Sequence, residues 1–182
     1  MPTASSAAIA LTLSALLAGC SSPSAQIAAC SPEVGFSPEG SAAQLVQRAI
    51  ESAHQSIRLA GYVFTSPDVV RSLIAAKRRG VDVRVIVDDK GNNGKASVAA
   101  LNLLAGAGIH TRTISAYPIH HDKYMVIDGA AVETGSFNYT ASAARRNSEN
   151  ALLISACPDL ARQYLAHWDS RWAQGTDWKM TY

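Results

Sequence analysis

The chain has 182 residues, the length of one domain, and carries 16 basic against 14 acidic residues for a net charge of +2. So mild a balance neither demands nor excludes a polyanionic partner, and any such binding has to come from local clustering. The absence of internal repeats and of sustained heptads excludes solenoid and coiled-coil architectures.

Residues 1–32 contain no Lys, Arg, Asp or Glu. Ala7 to Ala18 is an apolar run too short for a bilayer span but of the length of a secretory h-region. It ends Leu17-Ala18-Gly19-Cys20, which resembles the lipobox of bacterial lipoproteins, although Met1–Ser6 lacks the usual basic residue. Two readings stand: residues 1–19 as a lipoprotein-type signal with Cys20 acylated, or an ordinary cleaved signal with a coincidental Cys. Ser21 after an acylated Cys20 would suit outer-membrane sorting. Residues 20–32, rich in Ser, Ala and Pro, read as a tether to a domain over 33–182. Export places that domain in the periplasm or cell envelope, as an outer-membrane lipoprotein in one reading, or outside the cell. In that oxidising setting the two remaining cysteines, Cys30 and Cys157, are expected to form a disulfide tying the tether's end to the last strand–helix junction.

Within the domain, Val34-Gly35-Phe36 reads as a short strand and Ser37-Pro38-Glu39-Gly40 as a turn. Leu45, Val46, Ala49, Ile50 and Ala53 fall at helical spacing over 41–54. Ser56 to Phe64 is a second strand. Ser66 and Pro67 open a helix as cap and first residue, and it stops at Gly80. Lys77, Arg78 and Arg79 in its last turn can touch a phosphate, but cations complementing a helix C-terminus are the commoner explanation, and the structural reading is preferred. Val81 to Val87 is the core strand. The loop from Asp88 to Lys95 follows at its C-terminal end, where open α/β sheets place ligand crevices. Asp88 and Asp89 can be read as ligands of a divalent metal or as turn formers with the neighbouring Asn and Gly. Gly91-Asn92-Asn93-Gly94-Lys95-Ala96 has neither the spacing nor the final Ser/Thr of a P-loop. It is read as a substrate-facing loop without metal, with Lys95 as a phosphate contact. A helix over 96–105, a strand over 109–114, a short helix over 139–146 and a strand over 151–155 follow. Pro158 opens a terminal helix whose Leu160, Tyr164, Trp168 and Trp172 recur every four residues, a core stripe. This alternation indicates an α/β fold, a mixed sheet sandwiched by helices in a single domain.

The chemistry concentrates between His121 and Glu149. Residues 120–127 alternate as a strand, with His121, Lys123, Met125 and Ile127 on one face and Tyr124 and Val126 on the other. Asp128-Gly129 signals a hairpin, and Ala131 to Thr134 returns. With Asp128 and Gly129 central, His121 faces Ser136 and Lys123 faces Thr134. A turn slipped by one residue sets His121 opposite Asn138 and Lys123 opposite Ser136. Either register gathers an imidazole, an ammonium and a hydroxyl at one hairpin end, a phosphate site with a nucleophile in it.

His121-x-Lys123, Asp128, and Gly135-Ser136-x-Asn138 stand at the spacing H-x-K-x4-D-x6-G-S-x-N, the signature of the phospholipase D superfamily. The chain resembles its small EDTA-resistant bacterial endonucleases from about Val34 onward. Glu133-Thr134-Gly135-Ser136-Phe137-Asn138, Asn147-Ser148-Glu149-Asn150 and Trp168-Asp169-Ser170-Arg171-Trp172 carry that closer likeness. The resemblance implies a metal-independent phosphodiesterase in which His121 attacks phosphorus and becomes a phosphohistidine. Lys123 and Asn138 then donate to the non-bridging oxygens, with Ser136 in the same network. Glu149 is expected to fix the tautomer of His121, and Asp128 to be structural. A single motif copy leaves the leaving oxygen without a proton donor. A two-fold homodimer that pools two His121 residues in one cleft supplies it. Nucleic acid is the first expected substrate and a lipid phosphodiester the second; a binding module with a dead site would have lost its His.

Overall fold

The computed structural model describes Met1 and residues 30–180, so the expected signal segment and Cys20 lie outside the described residues. Strand periodicity builds one mixed sheet of eight strands in the order β1-β7-β6-β5-β2-β3-β4-β8. These are β1 Ser31–Ser37, β2 Ser56–Gly61, β3 Asp82–Asp88, β4 His110–Ile114, β5 Tyr124–Ile127, β6 Ala131–Gly135, β7 Glu149–Ser155 and β8 Thr176–Asp177. The strands β2, β3 and β4 run parallel; β5, β6, β7 and β1 continue antiparallel from β2.

Helices cover both faces, as strands apolar on both sides require. On one face α1 (Ser41–Glu51), α2 (Pro67–Arg78) and α3 (Lys95–Gly106) pack on Leu59, Val83, Val85, Met125 and Ile127. On the other, α5 (Pro158–Gln174) lays Trp168 against Ala60, Ile86, Tyr124 and Val126. The short α4 (Ala141–Arg145), capped by Thr140, follows the β5–β6 hairpin. Ser66 caps α2 by accepting from Val69 N, with Pro67 at its first position. The Arg79 guanidinium donates to the carbonyls of Ile50, Glu51 and Ala53 at the end of α1. Arg79 thus plays a structural part, but at the C-terminal end of α1 rather than of the helix it follows.

Two boundaries move. The second strand ends at Gly61 rather than Phe64, which instead bridges Tyr139. The tether gives way at Ser31, because β1 pairs with β7 along its whole length. Cys30 is bonded to Cys157 with the Cα atoms 4.7 Å apart, joining the start of β1 to the β7–α5 junction. The two-residue β8, on the edge beside β4, has too short a pattern to read from sequence.

Candidate active site

The expected strand 120–127 begins only at Tyr124. His120 gives its backbone N–H to Asp88 Oδ2 at 2.7 Å instead of to a neighbouring strand. Lys123 turns its ammonium back onto its own chain, donating to His121 O at 2.9 Å. His121 and Lys123 thus sit on an irregular approach to β5, pinned by the end of β3. Neither anticipated register holds. Tyr124 faces Thr134 and Ile127 faces Ala131, so the turn has three residues, with Asp128 (φ 52°) and Gly129 (φ 62°) both left-handed. Continuing that ladder sets Lys123 beside Gly135, between the two predictions. Ser136 and Asn138 still follow β6 at the same end of the hairpin.

Gly135 lets that end close. A Cβ there would lie 2.3 Å from the Asn150 carbonyl oxygen. Without it, Ser136 N and Phe137 N both donate to Asn150 O, at 3.1 and 3.2 Å. Ser136 Oγ donates to Glu149 Oε2 at 2.6 Å and accepts from Asn150 N at 3.0 Å, while Asn147 Nδ2 donates to Glu149 Oε1 at 2.9 Å. Both Glu149 oxygens are therefore engaged by Ser136 and Asn147, not by the His121 ring. The negative charge of Glu149 acts instead on Lys123. Burial pushes the Lys123 ammonium below its ordinary value, and the nearby Glu149 and Asp122 carboxylates oppose that shift. The buried Oδ1 of Asn138 has no hydrogen-bond partner among the described residues, and Nδ2 is the atom of that amide able to donate to a phosphate oxygen.

His121 is exposed, its ring tilted at 55° against Tyr62 with the centroids 4.8 Å apart. Lys123 Nζ stands 5.4 Å from the centre of the same Tyr62 ring. Behind Tyr62, Gly91 leaves room that a Cβ would close to 3.0 Å. Sequence reading passed over Tyr62, which looks like any aromatic residue at a strand end.

Asp128 lies at the opposite end of the hairpin. Its carboxylate accepts from His54 N, Gln55 N and Ser56 N at 2.9, 2.8 and 2.8 Å, fastening the turn to the α1–β2 loop. Asp88 is buried, and its oxygens accept from Gly91 N and His120 N. Its carboxylate is committed to holding the loop rather than to a cation; among the described residues no cluster of three or more His, Cys, Asp or Glu is arranged to hold a metal. Lys95 is exposed at the start of α3 and borders neither cleft that contains His121.

A second feature escaped the sequence reading. Asp122, between the two motif residues, accepts through Oδ2 from His167 Nε2 of α5 at 2.9 Å, and the same oxygen stands 3.4 Å from His120 Nδ1. Burial lowers the His120 pKa, against the raising pull of Asp122 and Asp88. The only sequence signal was the position of His167, three residues after Tyr164 on the stripe-bearing helix.

The imidazole and ammonium that lead into β5 and the hydroxyl and amide that follow β6 stand at one end of the hairpin, a set of groups suited to phosphodiester chemistry, and comparisons with known proteins agree. The family model described as "Cardiolipin synthase, PLD-like domain" matches residues 46–172. The chain is similar to Nuc of Salmonella typhimurium, a phospholipase D family member, with 52% identity and a TM-score of 0.82 over 83% of this chain and 99% of that one. It is 37% identical over 136 residues to a phospholipase D of Rickettsia prowazekii, covering 75% of this chain and 65% of the relative. It is 32% identical over 151 residues to the human mitochondrial cardiolipin hydrolase, covering 80% of this chain and 57% of that protein. The chain thus spans about two thirds of the rickettsial protein's length. It belongs to the phospholipase D superfamily, and its site is that of a phosphodiesterase of that superfamily.

Proposed function

We propose that the protein is an exported, metal-independent, sequence-blind endonuclease acting on DNA or RNA through a phosphohistidine. The likeness to Nuc over nearly all of that protein carries this reading, because it extends through the hairpin that bears His121, Lys123, Ser136 and Asn138. In the first step a His121 ring nitrogen bonds to phosphorus as the P–O bond to the leaving oxygen breaks. In the second, water displaces the histidine and the ring is regenerated. Lys123 and Asn138 hold the non-bridging oxygens.

The proton for the leaving oxygen comes from His121 of a second copy, which later accepts one from the attacking water. An uncovered sheet face supports this pairing. Val34 and Phe36 of β1 are 57% and 52% exposed, on the face where β7 carries Leu152 and Asn150 opposite them. Asn150 is bonded to Ser136, so this apolar patch runs directly into the site and suits a homodimer that shares one cleft. The apolar run before Cys20 and the Cys30–Cys157 bond both fit an oxidising compartment, with the periplasm or envelope as the location and Cys20 as the lipid anchor.

Incubation of the exported protein with plasmid in EDTA, beside His121→Ala, tests the reading. Cutting by wild type alone is expected, together with an acid-trapped phosphorus adduct on His121. Cleavage abolished by EDTA, or inversion at phosphorus, would sink it. The likeness to a cardiolipin hydrolase favours a lipid phosphodiester as the second substrate; release of headgroup from cardiolipin vesicles with plasmid left intact would establish that one instead.

A further inference from the structure

A cleft of about 430 Å³ opens beside His121 and Lys123 on the α5 side of the sheet. The hairpin supplies one wall through Tyr124 and Thr134; the other comes from the adjacent Gln163 and Tyr164 and, one turn further along α5, from His167. Tyr164 meets Tyr124 edge-on, with the centroids 4.9 Å apart and the planes at 71°. The stripe read as pure core is therefore divided. Trp168 is buried, whereas Tyr164 is partly exposed along the cleft.

The polar groups of this cleft are underused. Tyr124 is 3% exposed, and its hydroxyl has no partner among the described residues. A buried polar group without a partner is rare enough to need a reason. Gln163 is exposed, and its one hydrogen bond runs from Nε2 to Asp159 O at 3.4 Å, leaving its carbonyl oxygen uncommitted. The Asp122–His167 pair lines the same cleft.

We propose that this cleft binds the nucleobase next to the scissile phosphate, with Tyr164 supplying an aromatic face and Gln163 a donor–acceptor edge. The proposal rests on the nuclease reading above. A phosphodiester held by His121 and Lys123 has two ester arms, and the cleft receives one of them. Its chemistry selects which kind of arm. An acyl chain needs a long apolar trough, and a neighbouring phosphate would meet the Asp122 carboxylate. A flat, neutral heterocycle stacks on tyrosine and pairs with a carboxamide. Sequence-blind cutting then carries a mild preference at one flanking position, since stacking tolerates every base while the amide does not treat all edges alike.

The test compares the exported wild type, Tyr164→Ala and Gln163→Leu on a mixed-sequence single-stranded oligonucleotide, reading KM, kcat and the distribution of cut sites. Tyr164→Ala is expected to raise KM about tenfold with a smaller change in kcat, the size of one lost base stack. Gln163→Leu is expected to flatten the preference at one position by about threefold or more, within the discrimination of one bidentate contact. As a check independent of folding in the variants, an iodouracil oligonucleotide bound to His121→Ala should photo-crosslink to Tyr164 or Tyr124. Unchanged KM and cut distribution in both variants, or crosslinks only outside the cleft, overturn this assignment alone. A wild type that leaves the oligonucleotide intact while releasing lipid headgroup overturns it together with the nuclease reading.

Discussion

Tyr62 touches both side chains to which the proposed mechanism assigns phosphate capture: the His121 ring packs on it, and the Lys123 ammonium stands over its face. An aromatic contact and a cation–π contact of this kind are worth roughly 1–2 kcal/mol together. Converted to rate, that is about tenfold if the geometry is lost in the transition state. Tyr62→Leu is therefore expected to lower kcat about tenfold, and Tyr62→Phe, which keeps the ring, to restore most of it. Equal losses in both variants would assign the effect to the hydroxyl instead. A different residue, Glu133, sets a pH dependence of stability. It is 1% exposed, accepts from Tyr139 OH at 2.9 Å, and burial pushes its carboxyl up to about 8 against the opposing pull of that bond. Between the ordinary carboxylate value and about 8 the folded chain keeps a proton that the unfolded chain has released. Stability from this group therefore falls as pH rises through that window. Glu133→Gln should melt higher than wild type at pH about 8, with the gain, on the order of a few kcal/mol, gone below pH about 4. A gain that is the same at both pH values would refute the assignment.

At the scale of elements, the hairpin that bears the motif is held at both ends by carboxylates that accept from backbone amides. Asp88 pins its approach, and Asp128 pins its turn through three backbone amides. Burial pushes the Asp128 carboxyl up, but the amides of Ser56, His54 and Gln55 outweigh it and hold the carboxyl below its ordinary range. Asp128→Ala strands three donors and should cost on the order of 2–4 kcal/mol by urea unfolding at neutral pH. Because the folded value is the depressed one, the wild-type advantage is full above about 4 and disappears as pH falls through the folded value. A cost unchanged in acid would show that the hydrogen bonds are not charge-assisted. The hairpin also marks where sequence reading succeeds and where it stops. Alternation placed Met125 and Ile127 on one face and Tyr124 and Val126 on the other, as the two cores have them. The motif spacing gathered His121, Lys123 and Ser136 because a hairpin brings its two ends together in any register. The register itself was not legible, since Asp-Gly suits two- and three-residue turns alike. Nor were the contacts of Tyr62 and His167, which come from strands and helices distant in sequence and leave no local pattern.

For the whole molecule, the uneven covering of the sheet matters most. The face under α5 is sealed over β2 and β5 by Trp168, yet toward β1 it ends in exposed Val34 and Phe36. Gly35 and Ser37, the alternate residues of β1, turn the other way and are buried beneath α1, so the strand is anchored on one face and bare on the other. A bare apolar strip of a β-branched and an aromatic residue beside a site whose proposed mechanism calls for a second proton-transfer group has an economical use in burying a second copy. Phe36→Glu places charge in that strip without touching the α1 side. It is expected to convert a dimer to a monomer by light scattering and to lower turnover at least a hundredfold, the usual contribution of general acid–base catalysis. The thermal midpoint of the separated subunit should shift little. Mixing this variant with an equally monomeric but oppositely charged partner, Phe36→Lys, should restore part of the activity by pairing opposite charges across the interface. Full activity in a monomeric Phe36→Glu protein would place the second proton-transfer group within one chain, where His167, already paired with Asp122, is the next residue to substitute.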